Sequence, residues 1–505
     1  MYTHNGRQIV LSDDHPELFG NLPLDRANRW VKLARVIPWG MVEDEYRKNF
    51  QSKRGEKAKS ARLALGCLIV KEQLQLSDRD TVEMIRENPY IQYFLGYETY
   101  DYHLSLDASL LTHFRKRFPA DIIAKTNRAV IEAALASEEE SKDKEEPPPA
   151  EGTNDEEGKN KGTLILDATC APQDIQYPTD VRLLHESRLK LEAMQDTLQA
   201  GRRLPKPRNY RENAQKDYNR FCRNRGPKRA VIRRAVKQQL QYVARDLRII
   251  EAMQNDSSVG LSAKQLASLE TIKVLHAQQE EMYEKRTHRV DDRIVSLHQP
   301  HVRPIVRGKA RAKVEFGAKI TTSLVEGFAE ITNLSWDAYS EAADLPKAVE
   351  AYKERNGCYP ERVLGDKAFR TRANQQYCRQ RKIRLNGPPL GRPPKNRTVY
   401  EEQKRLERIE SGERNAIEGK FGEGKRRYGL SRVTTRLKET SETQIHLSIL
   451  VMNLQKILRD LFDLFFWTLF GGFTASHSRP WGRFRPVVNG SADPDYDCSP
   501  IHFLV

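Results

Sequence analysis

Thr163-Leu164-Ile165-Leu166-Asp167 is an apolar run that ends on a carboxylate, and Arg362-Val363-Leu364-Gly365-Asp366 repeats the arrangement much later in the chain. Both read as short strands. A charge at the apolar end of a strand needs a partner. A third acid, Glu418, lies in Glu413-Arg414-Asn415-Ala416-Ile417-Glu418-Gly419-Lys420-Phe421-Gly422-Glu423-Gly424-Lys425, a segment with helical character. Any one of these acids also fits a turn or a helix cap. Together, two strand-end carboxylates and one helical carboxylate are the parts from which divalent cations can be held.

Working outward, the apolar period switches to two at Val314–Ile320 and Gly327–Ile331, which predicts a strand pair joined by a short turn. Asp344 to Arg355 reads as an amphipathic helix, Asn386 to Pro394 as a rigid Gly/Pro loop, and 400–425 and 440–466 as helices. Strand, hairpin, helix, strand and helix make a mixed α/β domain over 163–470. No glycine-rich phosphate loop is present, so nucleotide-binding folds fall behind.

A helical insertion is expected at about 183–295. Inside it, Arg202 to Lys237 holds fourteen Lys or Arg and two acids, with Tyr210, Tyr218 and Phe221 interleaved. Pro205, Pro207 and Pro227 argue against one long helix. The stretch reads either as a solvated face or as a phosphate-binding surface with Arg220, Arg223, Arg225, Lys228 and Arg229 as its contacts.

Residues 1–136 read as helical. Ala61 to Gln75 has the spacing of an amphipathic helix, Ser77 and Asp78 are N-caps for the next, and that one must stop near Asn88-Pro89. Leu106 to Phe118 repeats the pattern, ending on Arg115, Lys116 and Arg117. Short helices with cationic ends fit a helix-turn-helix-like DNA-binding domain, and equally an ordinary bundle. Residues 137–162 hold ten acids and Pro147-Pro148-Pro149, the composition of a flexible linker. Residues 471–505 read as an irregular tail.

The chain of 505 residues carries 85 Lys and Arg against 69 Asp and Glu, a net charge of +16 that suits a polyanionic partner. Its six cysteines are scattered, which suggests neither a zinc site nor a disulfide framework and fits a reducing compartment. No signal peptide is evident, and the most apolar segment, Leu461 to Phe473, is too short to span a bilayer. These features predict a cytoplasmic protein with no membrane partner.

At 100° per residue, Arg414, Glu418 and Lys425 share one helix face, with an acid between two cations. A surface stripe of ion pairs would look the same. Gly419, Gly422 and Gly424 are poor helix formers, however, and small residues there suit the close approach of a backbone or a ligand.

The R-x3-E-x6-K spacing of these three residues resembles the C-terminal signature of insertion-sequence transposases of the DDE class. Leu164-Ile165-Leu166-Asp167-Ala168-Thr169 is similar to that family's first catalytic strand, and Tyr177-Pro178-Thr179-Asp180 to the loop after it. Ile305-Val306-Arg307-Gly308-Lys309, Val363-Leu364-Gly365-Asp366-Lys367 and Gly387-Pro388-Pro389-Leu390-Gly391-Arg392 also fit. So do Leu76 to Thr81 and Glu87 to Gly96, near the N-terminus. The family's fuller signature often has a Tyr three residues before the Arg, where this chain has Ser411.

The resemblance implies a ribonuclease-H-like catalytic domain with a helical insertion, preceded by the all-helical DNA-binding domain. It implies Asp167, Asp366 and Glu418 as catalytic residues and ligands of Mg²⁺ or Mn²⁺, two ions in all. Arg414, Lys425, Arg307 and Lys309 would bind DNA beside them. The implied partner is double-stranded DNA, both transposon ends and target, bound by a homo-oligomer in the bacterial cytoplasm at the nucleoid. Two other readings stay open, a catalytically inactive DNA-end-binding relative and a non-transposing nuclease of the same fold.

Overall fold

The computed structural model describes residues 19–20, 22–50, 57–143, 160–202, 204–306, 314–387 and 396–470. Residues up to Leu458 belong to one compact unit, and Arg459 begins a second, of which the helical residues to Phe470 are described.

The N-terminal part is α1 (Arg29–Val36), α2 (Trp39–Arg47), α3 (Ala61–Leu74), α4 (Asp78–Glu87), α5 (Pro89–Phe94), α6 (Ser109–Arg117) and α7 (Ala120–Asp143). Caps fix the boundaries as the sequence requires. Ser60 accepts from Leu63 N–H, Ser77 from Asp80 N–H, and Asn88 from the first amides of α5, with Pro89 at its first turn. Helix α3 departs from the expected amphipathic pattern, because Ala61 through Val70 are all buried. Helices α2, α4 and α6 pack around it, and Ser448 reaches its Glu72. Arg62, inside this core, donates to the carbonyls of Tyr93 and Phe94 at 3.0 and 2.9 Å. Of the cationic end of α6, Arg115 turns inward to a two-point bond with Asp78 (2.9 and 2.7 Å).

The sheet begins with β1 (Thr163–Pro172). It is followed by α8 (Asp180–Gln199), α9 (Arg211–Cys222), α10 (Arg229–Asp256) and α11 (Ala263–Glu284). This helical insertion has its own core, built on Leu184, Leu191, Val243, Ile250, Ile272 and Leu275. The basic stretch within it is mostly helical, interrupted before Arg211 and between Cys222 and Arg229, near its prolines.

The chain then adds β2 (Arg303–Val306), β3 (Val314–Val325), β4 (Phe328–Ser335), α12 (Asp344–Asn356), β5 (Arg362–Gly365), α13 (Arg372–Gln380) and β6 (Arg384–Leu385). It closes with α14 (Arg397–Arg427) and α15 (Lys438–Phe470). Strands β3 and β4 are joined by Glu326 and Gly327, both at positive φ (51° and 80°), the backbone of a two-residue hairpin turn. The six strands run β2-β3-β1-β5-β6, with β4 also on β3. β3 pairs antiparallel with β1, whereas β5 and β6 continue parallel to it.

One expectation is corrected. The strand does not stop at Leu166: β1 runs on to Pro172 because β3 keeps pairing with it as far as Pro172↔Gly317. The apolar residues of the N-terminal helices share one cluster with Ala318, Ile320 and Phe328 of the sheet and with Ile445 to Ile457 of α15. Asn127 of α7 and Asn453 of α15 bond each other (2.8 Å) and share the carbonyl of Ala329 in this buried seam. Helix α7 runs to Asp143, into the stretch expected to be linker, while 144–159 lie outside the described residues. So does the expected tail, 471–505.

Candidate active site

In the parallel pair β1–β5 the last registered residues are Leu166 and Gly365. Asp167 and Asp366 are the next residue on each strand. Neighbouring strands lie roughly 5 Å apart and registered side chains share a face, so the two acids start side by side. Beyond this point β1 has lost its parallel neighbour, and a pocket of about 600 Å³ opens. Asp167, Asp366, Arg414, Glu418 and Lys425 all line it.

Helix α14 supplies the last three and packs on both β1 and β5. Two ion pairs tie its middle to the sheet, Arg362–Glu413 at 2.7 Å and Arg384–Glu410 at 2.5 Å. They set the rotation that turns Arg414 and Glu418 toward the strand ends. One turn further, a Cβ on Gly424 would come within 2.6 Å of the Leu430 and Met452 side chains. That glycine lets α14 approach α15. Gly422 lines the pocket, while Gly419 has open space beside it.

The acids sit in different electrical settings. Burial pushes the Asp167 carboxyl up to about 6, with Glu341 and Asp366 adding to the rise; the Ala168 N–H bond (2.8 Å) and Arg414 oppose it. Asp366 is exposed and accepts from Lys367 N–H at 2.6 Å. Glu418 is 54% exposed. The Arg414 guanidinium bridges the set, 3.1 Å from Glu418 and 3.8 Å from Asp167. Among the described residues, no three His, Cys, Asp or Glu side chains stand together closely enough to hold a metal ion as placed.

Two further pocket residues escaped the sequence reading, Lys319 of β3 and Glu341 in the short turn before α12, paired at 2.8 Å. Buried Asp344 fixes that turn, accepting from Thr321 (2.7 Å) and Asn333 (2.9 Å). Lys319 left one signal, a cation set between Ala318 and Ile320 in the strand. Glu341 left none, because only the hairpin brings it to β1.

Arg307 and Lys309 lie outside the described residues, directly after Ile305 and Val306, which line the pocket. Arg220, Arg223, Arg225, Lys228 and Arg229 are exposed around the α9–α10 turn and are not part of the pocket lining. Among the described residues, Cys67, Cys170, Cys222, Cys358 and Cys378 are unbridged. Among the described residues, no helix is long and apolar enough to cross a membrane.

Residues 363–455 match the family described as "Transposase DDE domain", and residues 20–117 match "Transposase domain (DUF772)". The chain is also similar to "Uncharacterized protein ORF8 in nfe locus" of Rhizobium meliloti, 33% identical over 153 residues, which are 30% of this chain and 66% of that protein. The chain thus spans just under two thirds of that relative's length. No solved structure matches it. The DUF772 match covers the helices around α3, and the DDE-domain match runs from β5 through the Arg414–Glu418–Lys425 face. Both matches are to transposase domains, and together they support an insertion-sequence transposase of the DDE class.

Proposed function

We propose that this protein is a DNA transposase that binds the ends of its insertion sequence and catalyses metal-dependent strand cleavage and transfer. The observation that carries the reading is the pocket in which Asp167 and Asp366, adjacent across parallel strands, meet Arg414, Glu418 and Lys425 of one helix face. A ribonuclease-H-like fold is supported by the strand order. Three antiparallel strands, β4-β3-β1, continue into the parallel β5 and β6 with the acids at the β1–β5 junction.

The residues fit a divalent cation. The donor set is all carboxylate oxygen, which hard cations prefer. Half-buried Asp167, raised by desolvation and further by its acidic neighbours, is a group whose ionised form a nearby cation would favour. Asp167, Asp366 and Glu418 would hold Mg²⁺ or Mn²⁺. When bound, such ions, in a pair, activate the attacking oxygen of water or a 3′-OH and stabilise the leaving oxygen.

Arg414 has two tasks in this reading. It neutralises Asp167 and Glu418 in the free protein, and it turns to a DNA phosphate when those acids take up cations. Lys425 and Lys319, both lining the pocket, would add positive charge where phosphoryl transfer concentrates negative charge. The protein then needs no covalent nucleophile of its own. The exposed cations of the α9–α10 turn would bind duplex phosphates away from the reacting centre, and a homo-oligomer would bring two ends together.

The test is cleavage of linear DNA carrying one element end, with Mg²⁺ or Mn²⁺ and a chelator control. Asp366→Asn should abolish cleavage and leave end binding nearly intact. Full activity of Asp366→Asn, or cleavage in the chelator by the unaltered protein, would overturn the reading.

A further inference from the structure

Where the pocket opens, β1 carries a helix on each face. Leu164 and Leu166 pack with Leu345, Ala348 and Val349 of α12, whereas Ile165 between them packs on the cluster that holds Ile417 and Phe421 of α14. Alternate strand residues point to opposite faces, so α12 and α14 flank the sheet from two sides. Glu418 comes to the pocket from the α14 side. Glu341, in the short turn Glu341–Ala343 before α12, comes from the other. Asp167 and Asp366 stand between them at the strand ends. Glu341 has no part in the proposed chemistry.

The turn puts Glu341 there without help from its ion pair. Buried Asp344 accepts from Thr321 (2.7 Å) and Asn333 (2.9 Å), and the Ala342 carbonyl accepts from buried Asn374 (2.8 Å). Lys319 is held separately. It donates to the Tyr339 carbonyl at 2.9 Å, with its ammonium 4.9 Å from the centre of that ring. The Lys319–Glu341 contact at 2.8 Å is therefore not what fixes either group, and it leaves the Glu341 side chain 22% exposed on the pocket wall.

Charge gives Glu341 a task. Among the described residues lining the pocket, Asp167, Asp366 and Glu418 only balance the cations Lys319, Arg414 and Lys425. Glu341 supplies the excess negative charge that a divalent ion requires of its ligands. Burial is the chief reason that the Asp167 carboxyl is raised, and of the two acids that add to it Glu341 comes ahead of Asp366. Coulombic influence falls with distance, so Glu341 stands electrically with the strand-end pair.

We propose that Glu341 is a fourth carboxylate ligand of the divalent ions, and that the Lys319 ammonium occupies it while they are absent. Arg414 does the same for Asp167 and Glu418. With both cations seated, the acids are engaged one by one, which accounts for the lack of a ready three-ligand cage among the described residues.

This inference rests on the metal-dependent reading, and the experiment separates the two. Mn²⁺ binding to the full-length protein without DNA is titrated by the electron paramagnetic resonance signal of free Mn²⁺. Asp366→Asn should lose affinity, as the metal reading already requires. Glu341→Gln should lose about tenfold or more. Lys319→Met should instead gain about tenfold, because the ions no longer compete with the ammonium, and a gain cannot come from misfolding. On the Glu341→Gln background the same substitution should gain less than about threefold, since no carboxylate is left to free. Equal gains on the two backgrounds, or no gain in Lys319→Met, would overturn the proposal. If Asp366→Asn loses affinity and Glu341→Gln keeps it, the fourth ligand is wrong and the site of three acids stands. If the wild type binds no Mn²⁺, both fall together.

Discussion

Around Asp167 the charges line one pocket and answer one another, whereas around the α9–α10 turn they are exposed and separate. In the pocket, burial raises the Asp167 carboxyl, Glu341 and Asp366 raise it further, and one guanidinium reaches both it and Glu418. At the turn, Arg220 touches Asp217 at 3.3 Å, and Arg223, Arg225, Lys228 and Arg229 face solvent. Removing a charge from the first region leaves its neighbours uncompensated. Removing one from the second costs little by itself, and salt screens what remains. The contrast suits a division of labour, with chemistry where charges are coupled and general DNA affinity where they are not.

Arg414→Ala tests the coupled region most sharply. End cleavage should fall on the order of 10²–10³-fold, the usual worth of one electrostatic donor. Arg414→Lys should recover little, because a single ammonium cannot span both acids as the fork does. Single-turnover cleavage at saturating DNA measures this. A loss under threefold would show that the bridge seen between Asp167 and Glu418 is a surface ion pair.

At the exposed turn, replacing Arg220, Arg223, Arg225, Lys228 and Arg229 together with Ser should weaken DNA binding alike for all sequences. The dependence of log K on log salt should flatten by about 0.9 for each phosphate that the turn no longer neutralises. Cleavage at saturating DNA should be unchanged. An affinity and salt slope equal to the wild type's would make this turn a solvated face, and the comparison would lose its second term.

The smallest effect expected comes from an enclosed acid outside the pocket. Burial raises Glu72 of α3 to about 7, against hydrogen bonding from Ser448 and the nearby charge of Lys71. Between its ordinary value of 4.5 and about 7, the folded chain holds a proton that the unfolded chain has released. Stability conferred by that proton is fully present below 4.5 and is lost as pH rises through 7. Glu72→Gln should therefore gain stability over the wild type at pH 8 and not at pH 4.5. The difference should be at most about 3 kcal/mol by the linkage relation. Urea unfolding at the two pH values reads it. A difference of the opposite sign would mean that Glu72 is held as a carboxylate.

Local chemistry alone specified much of this protein. The apolar runs before Asp167 and Asp366, the short turn between the hairpin strands, the cap at Ser77, the helix stop near Asn88-Pro89, and the R-x3-E-x6-K face each depend on residues close in the chain. Helical period, strand alternation and capping act over a few positions, so these were legible. Only the tertiary structure decided which strands neighbour β1. That choice carried β1 past Asp167 to Pro172 and placed Asp366 beside it. It also brought in Lys319 and Glu341, buried helix α3 on every side, and merged the N-terminal helices with the sheet and α15 in one core. These outcomes join distant segments and are won by the summed burial of apolar surface, and no short window of sequence records which distant partner wins.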